Sequence, residues 1–242
     1  MTPSGIGHVR ESHLRLRATL VLLTDSDADV RVRRPSRLPG WSVGHVLTHL
    51  ARNADSHVRM LEAAASGAVG DQYPGGNEQR AADIEAGAGR PAAELVADVL
   101  SSAARLEEAM DMTPADGWRT GRGRVVSGLW PLAELPFRRW REVEIHHADL
   151  SLDYGIADWP DSYVDEELAR ATAGVAARLG GGPALDIRAT DTDERWLVPD
   201  DGDYGREPDE RRSVVAERRV LLAWLVGRAE PDGFPALTPW TG

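Results

Sequence analysis

The sequence predicts an α plus α+β protein, a four-helix bundle followed by a small α+β domain. Three observations carry this. Four long stretches in the first two thirds repeat apolar residues at helical spacing, and clusters of Gly and Pro separate them. Beyond about residue 157 the pattern changes to short runs with glycine-rich and acidic turns. A chain of 242 residues is long enough for one large domain or two smaller ones. The division expected is 1–157 for the bundle and 158–242 for the α+β domain.

Taken in order, Leu16, Leu20 and Leu23 place an amphipathic helix around 8–24. Pro35 and Pro39 make 31–40 a loop. Ser42 can cap a second helix that carries Val43, Val46, Leu47, Leu50, Ala54, Val58 and Leu61 inward and ends near Gly67. Residues 71–76 read as a turn-rich loop. Pro91 suits a first helical turn, followed by the stripe Leu95, Val99, Leu106 and Met110. Residues 117–128 read as a Gly/Arg-rich connection, and a fourth helix runs from about 131 to 152 with Pro136 as a kink or its true first turn. Four long helices with loops between them describe a bundle. In the second part, 166–179 is a helix stopped by Gly180, Gly181 and Gly182. Strands are expected at 185–189, 195–198 and 213–216, with an acidic turn at 191–194 and a polar loop at 200–209, and a last helix at 220–226.

Composition narrows the function classes. Lys plus Arg is 28 against 39 Asp plus Glu, a formal net charge of −11, which disfavours a nucleic-acid partner. The clusters Arg31, Arg33, Arg34 and Arg138, Arg139, Arg141 read as solvated faces. There is no cysteine, so disulfides and cysteine metal sites are excluded. No apolar signal region and no membrane span is visible, which reads as a cytoplasmic protein with small-molecule partners. Oligomeric state is not legible.

Two helical i, i+4 pairs stand out, His45 with His49 and Glu142 with His146. Residues at this spacing share a face, and bundles build metal sites from inward side chains on facing helices. Two imidazoles and a carboxylate leave one position open, the pattern of catalytic rather than structural zinc, although the same donors hold non-haem iron. Polar i, i+4 pairs are also common on helix surfaces. His45 lies in a first turn and suits a capping role equally well. Glu144 and His147 fall off the shared face. Asp149 can orient the free ring nitrogen of His146 or pair with an arginine.

At these residues the sequence resembles the mycothiol-dependent maleylpyruvate isomerases of actinobacteria. Residues 40–50, Gly-Trp-Ser-Val-Gly-His-Val-Leu-Thr-His-Leu, resemble the family's first motif, whose second histidine is a zinc ligand. Residues 141–150 resemble its second, an R-E-x-x-x-H-x-x-D-L signature supplying a glutamate and a histidine. The resemblance thus implies His49, Glu142 and His146 as metal ligands and selects His49 over His45. Asn53 and Arg80 resemble family positions near the bundle mouth, where the resemblance implies cofactor binding. Gly227-Arg228 with Asp232-Gly233 resembles a G-R-x-x-D-G element whose arginine is implicated in activity, so Arg228 is carried over as catalytic and cofactor-binding. By position alone Arg228 is a helix C-terminal arginine that complements the dipole.

The fold implied is a DinB-like bundle followed by a small sterol-carrier-like α+β domain. The cofactors implied are zinc and mycothiol, whose sulfur occupies the open position as a thiolate. The missing cysteines then make sense, because the nucleophilic sulfur comes with the cofactor. In the implied reaction that thiolate adds to the cis double bond of maleylpyruvate, the new single bond rotates, and elimination leaves trans fumarylpyruvate. The same chemistry supports a mycothiol S-transferase acting on another electrophile. A non-catalytic zinc sensor and a metallohydrolase that activates water are further alternatives.

Overall fold

The computed structural model describes residues 5–180, 184–198 and 211–240. It divides into two compact units, Met1–Gly155 and Ile156–Gly242. In the first, four long helices supply the bundle: α1 (Ile6–Leu20), α3 (Val43–Ala65), α5 (Ala92–Met112) and α7 (Leu135–Asp149), with the short α2 (Ala28–Arg33) between the first two. Their apolar stripes meet in one core that includes Leu16, Leu20, Val32, Val46, Leu47, Leu50, Leu95, Val99, Val143 and Leu150. Burial of these side chains, rather than helix propensity, holds the helices together.

The helix starts follow local chemistry. Ser42 caps α3 by accepting from the backbone N–H of His45, and His45 Nδ1 accepts from the Ser42 backbone N–H in return. Pro136 lies in the first turn of α7, where its missing N–H costs nothing, so it starts the helix instead of kinking it.

Three features of this unit differ from the sequence reading. The stretch expected as a loop from residue 31 is helical through Arg33, with only Ala28 and Val32 of α2 buried. Helix α4 (Gly76–Ala88) follows the turn after Asp71; it buries only Ile84 and Ala88, so it carries no apolar stripe to betray it. The Gly/Arg-rich connection is α6 (Ala115–Thr120) and a hairpin of β2 (Arg122–Val125) and β3 (Gly128–Pro131). Strand β2 also pairs in parallel with β1 (Gly70–Asp71), giving a small three-stranded sheet. Paired backbone satisfies these segments, which are too short and glycine-rich to show a periodicity of two.

Helix α4 reaches α3 because Gly44 has no side chain. A Cβ there would sit 2.3 Å from the carbonyl oxygen of Ala88. This contact sets the end of α4 against the start of α3 and positions Arg80 for the site described below.

The second unit contains α8 (Asp161–Gly174), the sheet strands β4 (Leu185–Ala189), β5 (Arg195–Val198) and β6 (Arg212–Ala216), and α9 (Arg218–Leu225). The strands lie in the order β5-β4-β6, with β4 antiparallel to β5 and parallel to β6. Helix α8 begins five residues earlier than its apolar pattern suggests, directly after Pro160, and passes into a 3-10 turn at Ala176–Arg178. Gly181, Gly182 and the polar loop at 200–209 lie outside the described residues. Among the described residues, no helix is long and apolar enough to cross a membrane.

Candidate metal centre

Residues rising along α3 meet residues falling along α7. His49 stands one turn beyond the capping pair, on the inner face of α3, and is 2% exposed. Its Nε2 donates to Glu142 Oε2 at 2.8 Å, and His146 Nε2 lies 3.5 Å from the same oxygen. One ligand atom from each of the three residues falls within 4.8 Å of the others. The two imidazoles meet edge to face with ring centroids 4.5 Å apart, and the indole of Trp41 stands 5.7 Å from His49.

His146 is oriented from behind. Its Nδ1 donates to Asp149 Oδ2 at 2.9 Å, which leaves the Nε2 lone pair facing the centre. Asp149 is fully buried and is anchored in turn, since its carbonyl accepts from the backbone N–H of Arg37. The donor set of two nitrogens and one carboxylate oxygen, converging and backed by a carboxylate, fits a zinc-type ion. Burial pushes the His49 imidazole down to about 4, reinforced by the neighbouring His146, so at neutral pH it is an uncharged donor. Burial would raise the Glu142 carboxyl, but the hydrogen bond from His49 and the surrounding imidazoles hold it well below the ordinary range.

The other histidines and acids of the two motifs have separate work. His45 is the capping partner of Ser42, and its Nε2 contacts Glu85 of α4 at 3.1 Å. His147 is buried and stacks on Tyr154 with centroids 3.7 Å apart. Glu144 is buried under Ser12, Arg15, Trp140 and Tyr154, all of which donate to it.

Arg80 of α4 donates to His49 Nδ1 at 3.2 Å and lies over the ring of Tyr73. Asn53 is buried one turn beyond His49, and its Oδ1 accepts from Arg139 at 2.8 Å. Arg139 corrects the sequence reading. Expected on a solvated face, it is 0% exposed, because it lies three residues before Glu142 and so shares its inner face. It also donates to the Leu50 carbonyl and to His13. His57, two turns beyond His49 on the same face of α3, and Tyr73 complete this polar interior. Neither was singled out from the sequence, although the i, i+4, i+8 spacing of His49, Asn53 and His57 was there to find.

Arg228 belongs to the second unit. Gly227, at φ +69°, ends α9 in a Schellman motif: its N–H donates to Trp224 and that of Arg228 to Ala223. The Arg228 guanidinium donates to the Val226 carbonyl at 3.0 Å, as a residue complementing a helix C-terminus does. It lines a cavity of about 440 Å³ together with Arg178, Trp224 and Phe234.

The model of the mycothiol maleylpyruvate isomerase N-terminal domain matches residues 9–151, more than half of the chain. The chain belongs to this family. The matched stretch contains His49, Asn53, Arg80, Glu142 and His146, while Arg228 lies beyond it. Two solved structures share the fold. A crystal structure of the mycothiol-dependent maleylpyruvate isomerase has a TM-score of 0.83 at 23% identity, covering 98% of this chain and 95% of that one. A histidine-to-alanine mutant of the mycothiol-dependent maleylpyruvate isomerase has a TM-score of 0.80 at 22% identity, covering 93% of this chain and 88% of that one. No curated protein sequence matches the chain.

Proposed function

We propose that the protein is a zinc- and mycothiol-dependent enzyme that isomerises maleylpyruvate to fumarylpyruvate. The observation that carries this is the convergence of His49, Glu142 and His146 on one point of the bundle, in a member of the maleylpyruvate isomerase family. His49, Glu142 and His146 would hold the ion, which with two neutral imidazoles and one carboxylate keeps a net positive charge and stabilises a thiol as thiolate.

The chain's own residues prepare that site. Asp149 keeps the His146 proton on Nδ1 and the ring in place. Trp41 walls the His49 side. With Nε2 of His49 engaged, its ring proton belongs on Nδ1, so Arg80 loses its acceptor there and can turn to an anionic group. Arg228, in the second unit and beyond the matched stretch, resembles the family's arginine element, and we propose that it takes a carboxylate of substrate or cofactor, for which a guanidinium is suited by its paired donors.

The test is incubation of zinc-loaded protein with mycothiol and maleylpyruvate, following the product's absorbance. Thiol-dependent turnover is expected. Isomerisation unchanged without thiol would remove mycothiol from the reading, whereas thiol-independent loss of maleylpyruvate to products other than fumarylpyruvate would make the protein a hydrolase. No isomerisation, with mycothiol added to the mass of another electrophile, would make it an S-transferase.

A further inference from the structure

The two candidate imidazole ligands are held in opposite states by their neighbours. His146 donates its Nδ1 proton to Asp149 Oδ2 at 2.9 Å, as a ligating histidine ordinarily does when its other nitrogen is offered to an ion. The neighbour of His49 Nδ1 is instead Arg80, whose Nη2 stands 3.2 Å away. A guanidinium has donors only, so His49 Nδ1 must accept and the ring proton must sit on Nε2, from which it is given to Glu142 at 2.8 Å. Nε2 is the nitrogen that faces the triad. With its proton there, His49 has no lone pair to lend to an ion.

Arg80 also ties the first half of α4 to the triad. The other end of that helix is pinned by packing. Ile84 and Ala88 are its buried residues, and a Cβ at Gly44 or Gly87 would overlap the Ala88 carbonyl or the Thr48 side chain. Across 76–83 no residue is buried. Arg80 is half-buried there, and among the described residues no carboxylate pairs with it. Its hydrogen bond to His49 is thus the link between this half of α4 and the ligands.

We propose that Arg80 is a latch that metal binding releases, so that an occupied triad and an α4 closed through Arg80 exclude each other. For Nε2 to face an ion, the ring proton moves from Nε2 to Nδ1; the ring stays neutral and gains or loses no proton overall. Nδ1–H then meets the Arg80 donor, and two donors cannot share one hydrogen bond. The guanidinium leaves, and the first half of α4 loses its tie. The coupling is reciprocal: the factor by which the ion weakens the latch is the factor by which the latch weakens the ion. Arg80 becomes free for an anionic group only once the ion is in place, which sets an order of metal first and anionic ligand second. The latch rests on the proposed metal reading and not on the identity of the substrate.

Arg80→Met keeps the length and helix propensity of the side chain and removes its donors. Competition with a chromophoric chelator should show this variant binding zinc about 10-fold more tightly than wild type, the effect of losing one hydrogen bond from a charged group. Amide hydrogen exchange, with and without zinc, supplies the second measurement. In the wild type, zinc should speed exchange across 76–83 about 10-fold, by the same reciprocity. In Arg80→Met, exchange there should be fast in both states. If the lost charge alone mattered, the variant would bind zinc more tightly while wild-type exchange stayed unmoved by the metal, and that result would overturn the latch. Zinc affinity equal to or below wild type in Arg80→Met would also overturn it, by making Arg80 a support of the ion. A wild-type protein that takes up no zinc would overturn the metal reading and the latch together, a failure distinct from normal zinc binding with α4 still closed.

Discussion

At the scale of single residues, the two motif segments sort their polar side chains by where the helix surface points. His49, Glu142 and His146 converge, while His45, Glu144 and His147 are engaged in a cap, a buried network and a stack. Two predictions belong here. Replacing His49 or Glu142 by alanine should lower bound zinc from about one equivalent to below a tenth of one, because two remaining ligands hold the ion weakly. Metal analysis of purified variants checks this, and unchanged zinc content would end the metal assignment. Asp149→Asn should weaken zinc affinity by about 10- to 100-fold while leaving all three ligands in place, since it loosens the tautomer and orientation of His146. Competition with a chromophoric chelator measures the change.

At the scale of elements, the site depends on how closely helices approach. The spacing of apolar residues on α3, α5 and α7 made those helices and their inward faces legible, and Ser42 marked the start of α3. Helix α4 was not legible, because only Ile84 and Ala88 of it are buried and it adds no stripe of its own. Yet it delivers Arg80 to His49. Its docking relies on Gly44, where a methyl group would overlap the Ala88 carbonyl. Gly44→Ala should therefore destabilise the protein by about 1–3 kcal/mol, the usual cost of overpacking, despite alanine's better helix propensity. A lowered midpoint in urea unfolding is expected; a raised one would mean that α4 does not rest there.

At the scale of the whole molecule, buried titratable groups set the response to pH. In the metal-free protein His49 and His57 have folded pKa values of about 4 and about 3, both below the unfolded value. A depressed histidine binds fewer protons folded than unfolded, so stability is fully present above about pH 6.5 and is lost as pH falls toward the folded values. Glu142, also depressed, adds loss of the same sign at lower pH. Between about pH 6.5 and pH 5 the two histidines together account for about 4 kcal/mol of lost stability. Urea midpoints of metal-free protein should fall steadily from pH 7 to pH 5, and a flat profile would contradict the burial of both rings.

The sequence by itself determined the helical bundle, and it nominated the change of character near the end of α7 and the three candidate ligands. It could do so because helical spacing is a local property and the family motifs span ten or eleven consecutive residues. Tertiary structure decided which polar groups lie inside. Arg139 sits among residues that read as a charged surface, and only the antiparallel register of α3 and α7 buries it between Asn53, Leu50 and His13. Burial depends on what faces a residue across the core, and for His49 and Glu142 that partner is 93 residues away in the chain. Local spacing can nominate the members of such a site, but only packing brings them together.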